Sequence, residues 1–143
     1  MSRGLRIALT FIAAMVIAGC GSDESLERFL QQSKEHPNDS IVLVNLSRAY
    51  EDRGYYAESI RVTEKLLALK PNEHWVYEML AVRYAFNGDY DKATQAVSTA
   101  LSLAEKAGPA AVQSTTYLRD GISLYVNASP GERKNLKARM KMK

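Results

Sequence analysis

Two stretches decide the architecture: Leu46-Ser47-Arg48-Ala49-Tyr50-Glu51-Asp52-Arg53-Gly54-Tyr55-Tyr56, and Leu80-Ala81-Val82-Arg83-Tyr84-Ala85-Phe86-Asn87-Gly88-Asp89-Tyr90. They are one pattern written twice, at a constant offset along the chain. Leucine, tyrosine, glycine and tyrosine recur in phase at Leu46/Leu80, Tyr50/Tyr84, Gly54/Gly88 and Tyr56/Tyr90. The phase carries on to Leu67/Leu101 and Leu69/Leu103. Leucine and tyrosine four residues apart share one helical face. A glycine four residues after each tyrosine is a stop, because a helix ends easily where a positive φ costs nothing. Pro71 then closes the second helix of the first unit, since proline cannot donate to the helical ladder. Each unit is thus two helices joined by a glycine turn.

The offset from Leu46 to Leu80 resembles the period of the tetratricopeptide repeat, which is about 34 residues. Residues 40–73 and 74–107 read as two repeats. Leu43 and Tyr77 stand in the column that usually holds tryptophan, and Leu46-Ser47 and Leu80-Ala81 in the leucine-glycine column. Ser59 and Ala93 stand where the paired helices cross. The second repeat has Glu105 in place of its closing proline, and Pro109 follows four residues later, so its second helix should run about a turn longer. The resemblance implies an all-α array of helical hairpins forming a short right-handed superhelix. Two repeats cannot bury their outer faces alone, so the flanks should complete the stack within a domain of residues 23–128. Asp23 to His36, with Leu26, Phe29 and Leu30 on one face, reads as a leading helix stopped by Pro37. Ala110 to Asn127 reads as a capping helix, in which Tyr117 and Gly121 give the tyrosine-glycine spacing a third time.

The first nineteen residues are an address. Arg3 and Arg6 precede an apolar run from Ile7 to Ala18, interrupted by Thr10. That is too short to span a bilayer, which takes about 20 residues, and it suits the hydrophobic region of an export signal. The run ends Ile17-Ala18-Gly19-Cys20, which resembles the lipobox of bacterial lipoproteins; Cys20 is the chain's one cysteine. The resemblance implies cleavage after residue 19 and covalent lipid on Cys20, with two or more acyl chains giving stable anchoring. Residues 20–22 then form the lipidated start and a short tether. By the enterobacterial sorting rule, Gly21 rather than aspartate after the cysteine points to the outer membrane, facing the periplasm. A tether this short spans on the order of 10 Å and would hold the domain, and so its partner, at the membrane surface.

Composition removes several classes of function. The chain has 143 residues, 19 basic and 16 acidic. A charge of +3 is too weak to indicate a nucleic-acid binder. One cysteine and two histidines leave nothing for a Cys-based zinc site, and no cofactor is expected. No glycine-rich phosphate loop, GxSxG or HExxH is present. His36 and His74 read as surface or turn residues, Glu51 and Asp52 as solvated carboxylates, and Asp89 as the N-cap of a helix. No enzymatic role is expected.

In the tetratricopeptide family the concave face is lined by the second, fifth, sixth, ninth, twelfth and thirteenth positions of each repeat. Here these are Ile41, Val44, Asn45, Arg48, Glu51 and Asp52, then Trp75, Glu78, Met79, Val82, Ala85 and Phe86. The lysine of the family's carboxylate clamp is missing. Trp75, Met79, Val82 and Phe86 form an apolar stripe at helical spacing. With Asn45 and Arg48 they are the candidate protein-binding groove, with Phe86 expected to stay exposed; the alternative is that the helix of Ala110 to Asn127 packs over part of this stripe. Residues 129–143 form a basic tail: Arg133, Lys134, Lys137, Arg139, Lys141 and Lys143 face one acid, Glu132. Residues 20–131 carry 11 basic and 15 acidic residues, so a mildly acidic body bears a basic end. A frayed tail is expected, with a short helix from Ser129-Pro130 as the alternative. The function these features imply is a membrane-anchored interaction adaptor for a cell-envelope complex of the pilus, secretion or outer-membrane kind. The alternatives are a permanent structural subunit of such a complex, or a surface tether that binds polyanions or anionic lipid through the tail.

Overall fold

The computed structural model describes residues 21–141 as seven helices: α1 (Gly21–Glu35), α2 (Ser40–Asp52), α3 (Tyr56–Leu69), α4 (His74–Asn87), α5 (Tyr90–Ala107), α6 (Pro109–Asn127) and α7 (Pro130–Lys141). Successive helices pack on one another from α1 to α7, and α6 also touches α4. Skipping one helix to meet the next but one is the contact pattern of stacked hairpins. The architecture is an all-helical tetratricopeptide-type array. Cys20 lies outside the described residues, as does the whole of residues 1–19.

The tyrosine-glycine spacing has a local cause. At the end of α2, Gly54 N donates to Glu51 O at 2.9 Å and Tyr55 N to Tyr50 O at 2.9 Å. At the end of α4, Gly88 N donates to Ala85 O at 3.2 Å and Asp89 N to Tyr84 O at 2.9 Å. Both are Schellman closures, which need a left-handed residue at the glycine. Gly54 has φ +79° and Gly88 +91°. Gly121 makes no such turn: α6 runs straight through it. In α6 the repeat instead continues at the offset that relates Leu46 to Leu80. Ser47, Ala81 and Thr115 are each fully buried, and Leu118, not Tyr117, follows Tyr84. Tyr117 is 68% exposed.

Other ends follow their chemistry. Asp39 caps α2, its Oδ1 accepting from Ile41 N at 2.8 Å and Val42 N at 3.2 Å. Asp89 does not cap α5; its carboxylate accepts from Asn87 Nδ2 at 2.7 Å instead. α3 stops at Leu69, with Pro71 beyond it, whereas α5 runs 18 residues against 14 in α3. The leading helix begins at Gly21, two residues before the expected start.

The core has two parts. Leu43, Leu66 and Val76 fill the first crossing of α2, α3 and α4, with Trp75, Met79 and Val44 packed around them. The larger part gathers Ile60, Leu80, Phe86, Val97, Ile122 and Tyr125 from α3 to α6. Tyr50 and Tyr84, whose columns suggest the interior, are half-buried. The Tyr84 hydroxyl is long enough to reach out and donate to Glu64 Oε1 at 2.8 Å. Burial and this bond push its pKa up to about 12.

A polar knot sits inside the first crossing. The Arg83 side chain is 3% exposed. Its Nε donates to Ser59 Oγ at 2.5 Å, one terminal nitrogen to Met79 O at 2.9 Å, and the other to Ser47 Oγ at 3.3 Å while meeting Glu51 Oε2 at 3.0 Å. Ser59 Oγ donates to Ser47 O at 2.6 Å. Burial pushes the Arg83 guanidinium below its usual range and Glu51 pulls it back up. Glu51, which reads from sequence as a solvated carboxylate, is the counter-charge of a buried arginine.

Two stability outcomes follow from this packing. Leu80→Ala opens a cavity at a 3% exposed site and should cost about 2–5 kcal/mol, lowering the melting temperature by on the order of ten degrees. Arg83→Ala removes the cation that faces Glu51 and the donor to both serine hydroxyls, and should cost about 3–5 kcal/mol. Arg83→Met with Glu51→Gln should recover part of that loss in urea denaturation. A double variant no more stable than Arg83→Ala would mean that the charge is not what the knot satisfies.

Candidate protein-binding face

The expected groove residues divide into an open and a closed group. On α2, Arg48 is exposed and Asn45 half-buried; on α4, Trp75 and Met79 are half-buried. Trp75 Nε1 donates to Glu73 Oε2 at 3.1 Å, which settles the ring against the α3–α4 turn. Ile41, at the start of α2, is 72% exposed. This end offers apolar surface with the exposed cation of Arg48 beside it.

The other end is closed. Phe86, expected to be exposed, is 8% exposed. Its ring stands edge-on to Tyr56 at 5.6 Å and to Tyr125 at 5.4 Å. The cause is α6, which lies across the C-terminal part of α4. Val82 is half-buried against the same cluster, to which Leu118 also packs. Glu78 is also engaged, as its carboxylate accepts a short hydrogen bond from the buried Thr115 hydroxyl. Asn45, Arg48, Trp75 and Met79 are therefore at least partly accessible, and Phe86 is not.

The basic tail is not frayed. Ser129 and Glu132 form a capping box: Glu132 Oε2 accepts from Ser129 N at 2.9 Å and from Ser129 Oγ at 2.6 Å. From that start α7 turns back onto the array. Arg133 donates to Tyr125 O at 3.1 Å, Val126 O at 2.9 Å and Tyr90 Oη at 2.5 Å, and its guanidinium lies 4.6 Å from the Tyr90 ring centroid. Lys137 Nζ lies 4.1 Å from the Tyr56 centroid and 4.9 Å from that of Phe86. Lys134 and Arg139 stay exposed. The side chains of Lys141 and Lys143 fall outside the described residues.

Arg133 and Lys137 are legible in the sequence only as charge. Their spacing of four, with Leu136 and Met140 on the same face, is the available sign that α7 has a docking side. Further apolar exposure appears outside the expected groove: Tyr117 and Leu124, seven residues apart on α6, are 68% and 64% exposed. Among the described residues no group of histidine, cysteine and acidic side chains could hold a metal ion, and no helix is long and apolar enough to cross a membrane.

Residues 41–73 match the family described as tetratricopeptide repeat. The fold as a whole is similar to a solved structure described as PcrH in complex with the chaperone binding region of PopD. The TM-score is 0.63 at 17% sequence identity, covering 86% of this chain and 94% of that one. No curated protein matches by sequence. The class thereby defined is one of fold: an all-helical array in which residues 41–73 match the tetratricopeptide repeat.

The capping box makes the tail helix sensitive to acid. The Glu132 carboxylate, held by Ser129, sits below its ordinary value of 4.5. A depressed carboxylate stabilises the folded form above its unfolded pKa, and that contribution is lost as pH falls through the folded value. Helicity should therefore fall as pH drops below about 4.5. Glu132→Gln should begin with less helicity in α7 and show a smaller change over that range by far-ultraviolet circular dichroism.

Proposed function

We propose that the chain is a lipid-anchored adaptor of a bacterial cell envelope, tethered through Cys20 and holding a segment of a partner protein against α2 and α4. The observation that supports this best is the asymmetry of the concave face. α6 covers Phe86, while Trp75, Met79, Asn45 and Arg48 are left accessible at the other end. A half-buried tryptophan beside an adaptable methionine is the composition of a binding hot spot. Arg48 suits a partner segment that carries a carboxylate next to its apolar anchors. The similar structure, PcrH, is described as holding the chaperone binding region of PopD, so an array of this shape accommodates a segment of another protein. The lipobox resemblance points to a membrane address, and Gly21 favours the outer membrane. A permanent structural role is the second reading, favoured by the exposed Tyr117 and Leu124 on α6.

Trp75 is the chain's one tryptophan, which makes partner binding visible. Addition of the partner should shift its emission. Arg48→Glu and Met79→Ala should each weaken capture, by about ten-fold or more if these are hot-spot positions. Arg48→Glu should leave the melting temperature unchanged, because the side chain is exposed. Capture from crosslinked membranes that is indifferent to both variants would refute the α2–α4 face. Separately, labelled fatty acid should enter the wild type and not Cys20→Ala; equal labelling of the two would remove the anchor.

A further inference from the structure

α7 is held on the array by two cations as well as by apolar side chains. Its apolar contribution to the array is Leu136 and Met140, both half-buried. Arg133 and Lys137 make the remaining contacts, at positions i and i+4, with the two apolar side chains at i+3 and i+7. All four lie on one helical face. The surface beneath them is built to receive a cation. Tyr56, Phe86, Tyr90 and Tyr125 come from four different helices and present their rings there. The carbonyls of Tyr125 and Val126, at the end of α6, accept from Arg133; that is the negative pole of a helix. The body that carries this surface is acidic and the helix on it is basic. Only Ala128 and Ser129 join α7 to α6.

We propose that this aromatic surface is a second protein-binding site, whose external ligand is a basic amphipathic helix of a partner, and that α7 is its built-in competitor. The partner helix carries Arg or Lys four residues apart, with apolar residues three and seven places after the first. That is the chemistry of Arg133, Leu136, Lys137 and Met140, and charge complementarity selects it over an acidic or neutral helix. Aromatic faces attract cations more strongly when the site is sheltered from water, and the half-buried ring of Tyr56 beside the buried Phe86 gives such shelter. The short link keeps α7 at a high effective concentration over the surface. An external helix must outcompete it, so the free site is populated only in part and apparent affinity falls by that fraction. The proposal shares with the adaptor reading only the idea that the array binds proteins, and it involves none of the α2–α4 residues.

The test uses a labelled peptide with the sequence of residues 129–141, titrated into the full chain and followed by anisotropy. The full chain carrying Arg133→Gln and Lys137→Gln should bind this peptide about ten-fold or more tightly than the wild type, because its own helix competes poorly. The same peptide with both cations changed to glutamine should bind neither chain. Equal affinity for the two chains, or equal binding of the neutral peptide, would overturn the proposal. If the doubly substituted chain lacks a cooperative melt, hydrogen exchange on the wild type decides. Excess peptide should speed exchange of the α7 amides and leave those of α2 and α4 unchanged. Unchanged α7 exchange at saturating peptide, or protection appearing in α2 and α4, would place the peptide elsewhere and refute the site. Loss of this site would leave the Trp75 emission test untouched, and the reverse holds as well.

Discussion

The array depends on one buried guanidinium. Arg83 comes from α4, yet its partners lie on three helices: Ser47 and Glu51 on α2, Ser59 on α3 and Met79 on α4 itself. A desolvated charge without partners would cost several kcal/mol. The helices are therefore held in the one register that supplies every bond. Lysine could not replace it, because the contacts fan out in the plane of a fork and a point charge has no such geometry. The knot also explains two small residues. Ser47 and Ser59 must be small for the helices to cross, and they must be hydroxylated because a buried arginine sits between them. In the next repeat Ala81 and Ala93 occupy the same columns, and among the described residues no second buried charge comes with them.

The two halves of the array are consequently joined by different physics. The first crossing is polar and specific, with a small apolar cluster of Leu43, Leu66 and Val76 beside it. The second is aromatic and aliphatic, with Phe86 between Tyr56 and Tyr125. Edge-to-face rings contribute about 0.5–1.5 kcal/mol each beyond their burial and tolerate small sliding. The polar end leaves Trp75 and Met79 half-buried, although α6 reaches Glu78 between them through the Thr115 hydroxyl. The aromatic end is roofed by α6 and α7. An open face and a covered face thus lie on the same helix.

Much of this was legible beforehand because it follows from local rules. The phase between the two repeats, the glycine turns and the long α5 each rest on one or two residues whose chemistry works in any context. The failures share a different cause. Arg83 stands at an ordinary helical position, and only the joint placement of Ser47, Glu51 and Ser59 shows that it faces inward. Phe86 has the spacing of a groove residue, and its burial depends on where α6 lies. Tyr117 mimics the tyrosine-glycine spacing one place out of phase with Tyr50 and Tyr84, and the buried column of Ser47, Ala81 and Thr115 shows which count governs. The tail's charge was plain, but a cation that packs on a ring is written like one that points to water. The expected export signal, residues 1–19, lies outside the described residues, so only the sequence pattern bears on it.

Whether the two faces influence one another turns on α4. Met79 and Phe86 are seven residues apart on this helix, about 10 Å along its axis, and Arg83 lies between them. Coupling between sites needs an element with two arrangements that both occupants bias. The knot withholds that freedom, because shifting α4 past α2 would break the contacts of Arg83 with Ser47 and Glu51 together and leave a buried charge without its counter-charge. Occupation of the open face can therefore pull on α4 without moving it, and α7 keeps its hold on Phe86 regardless. If both proposed faces are used, two binding elements on a pinned helix would act additively. A partner that engages both gains from linkage through its own chain, not from any change of shape in the array.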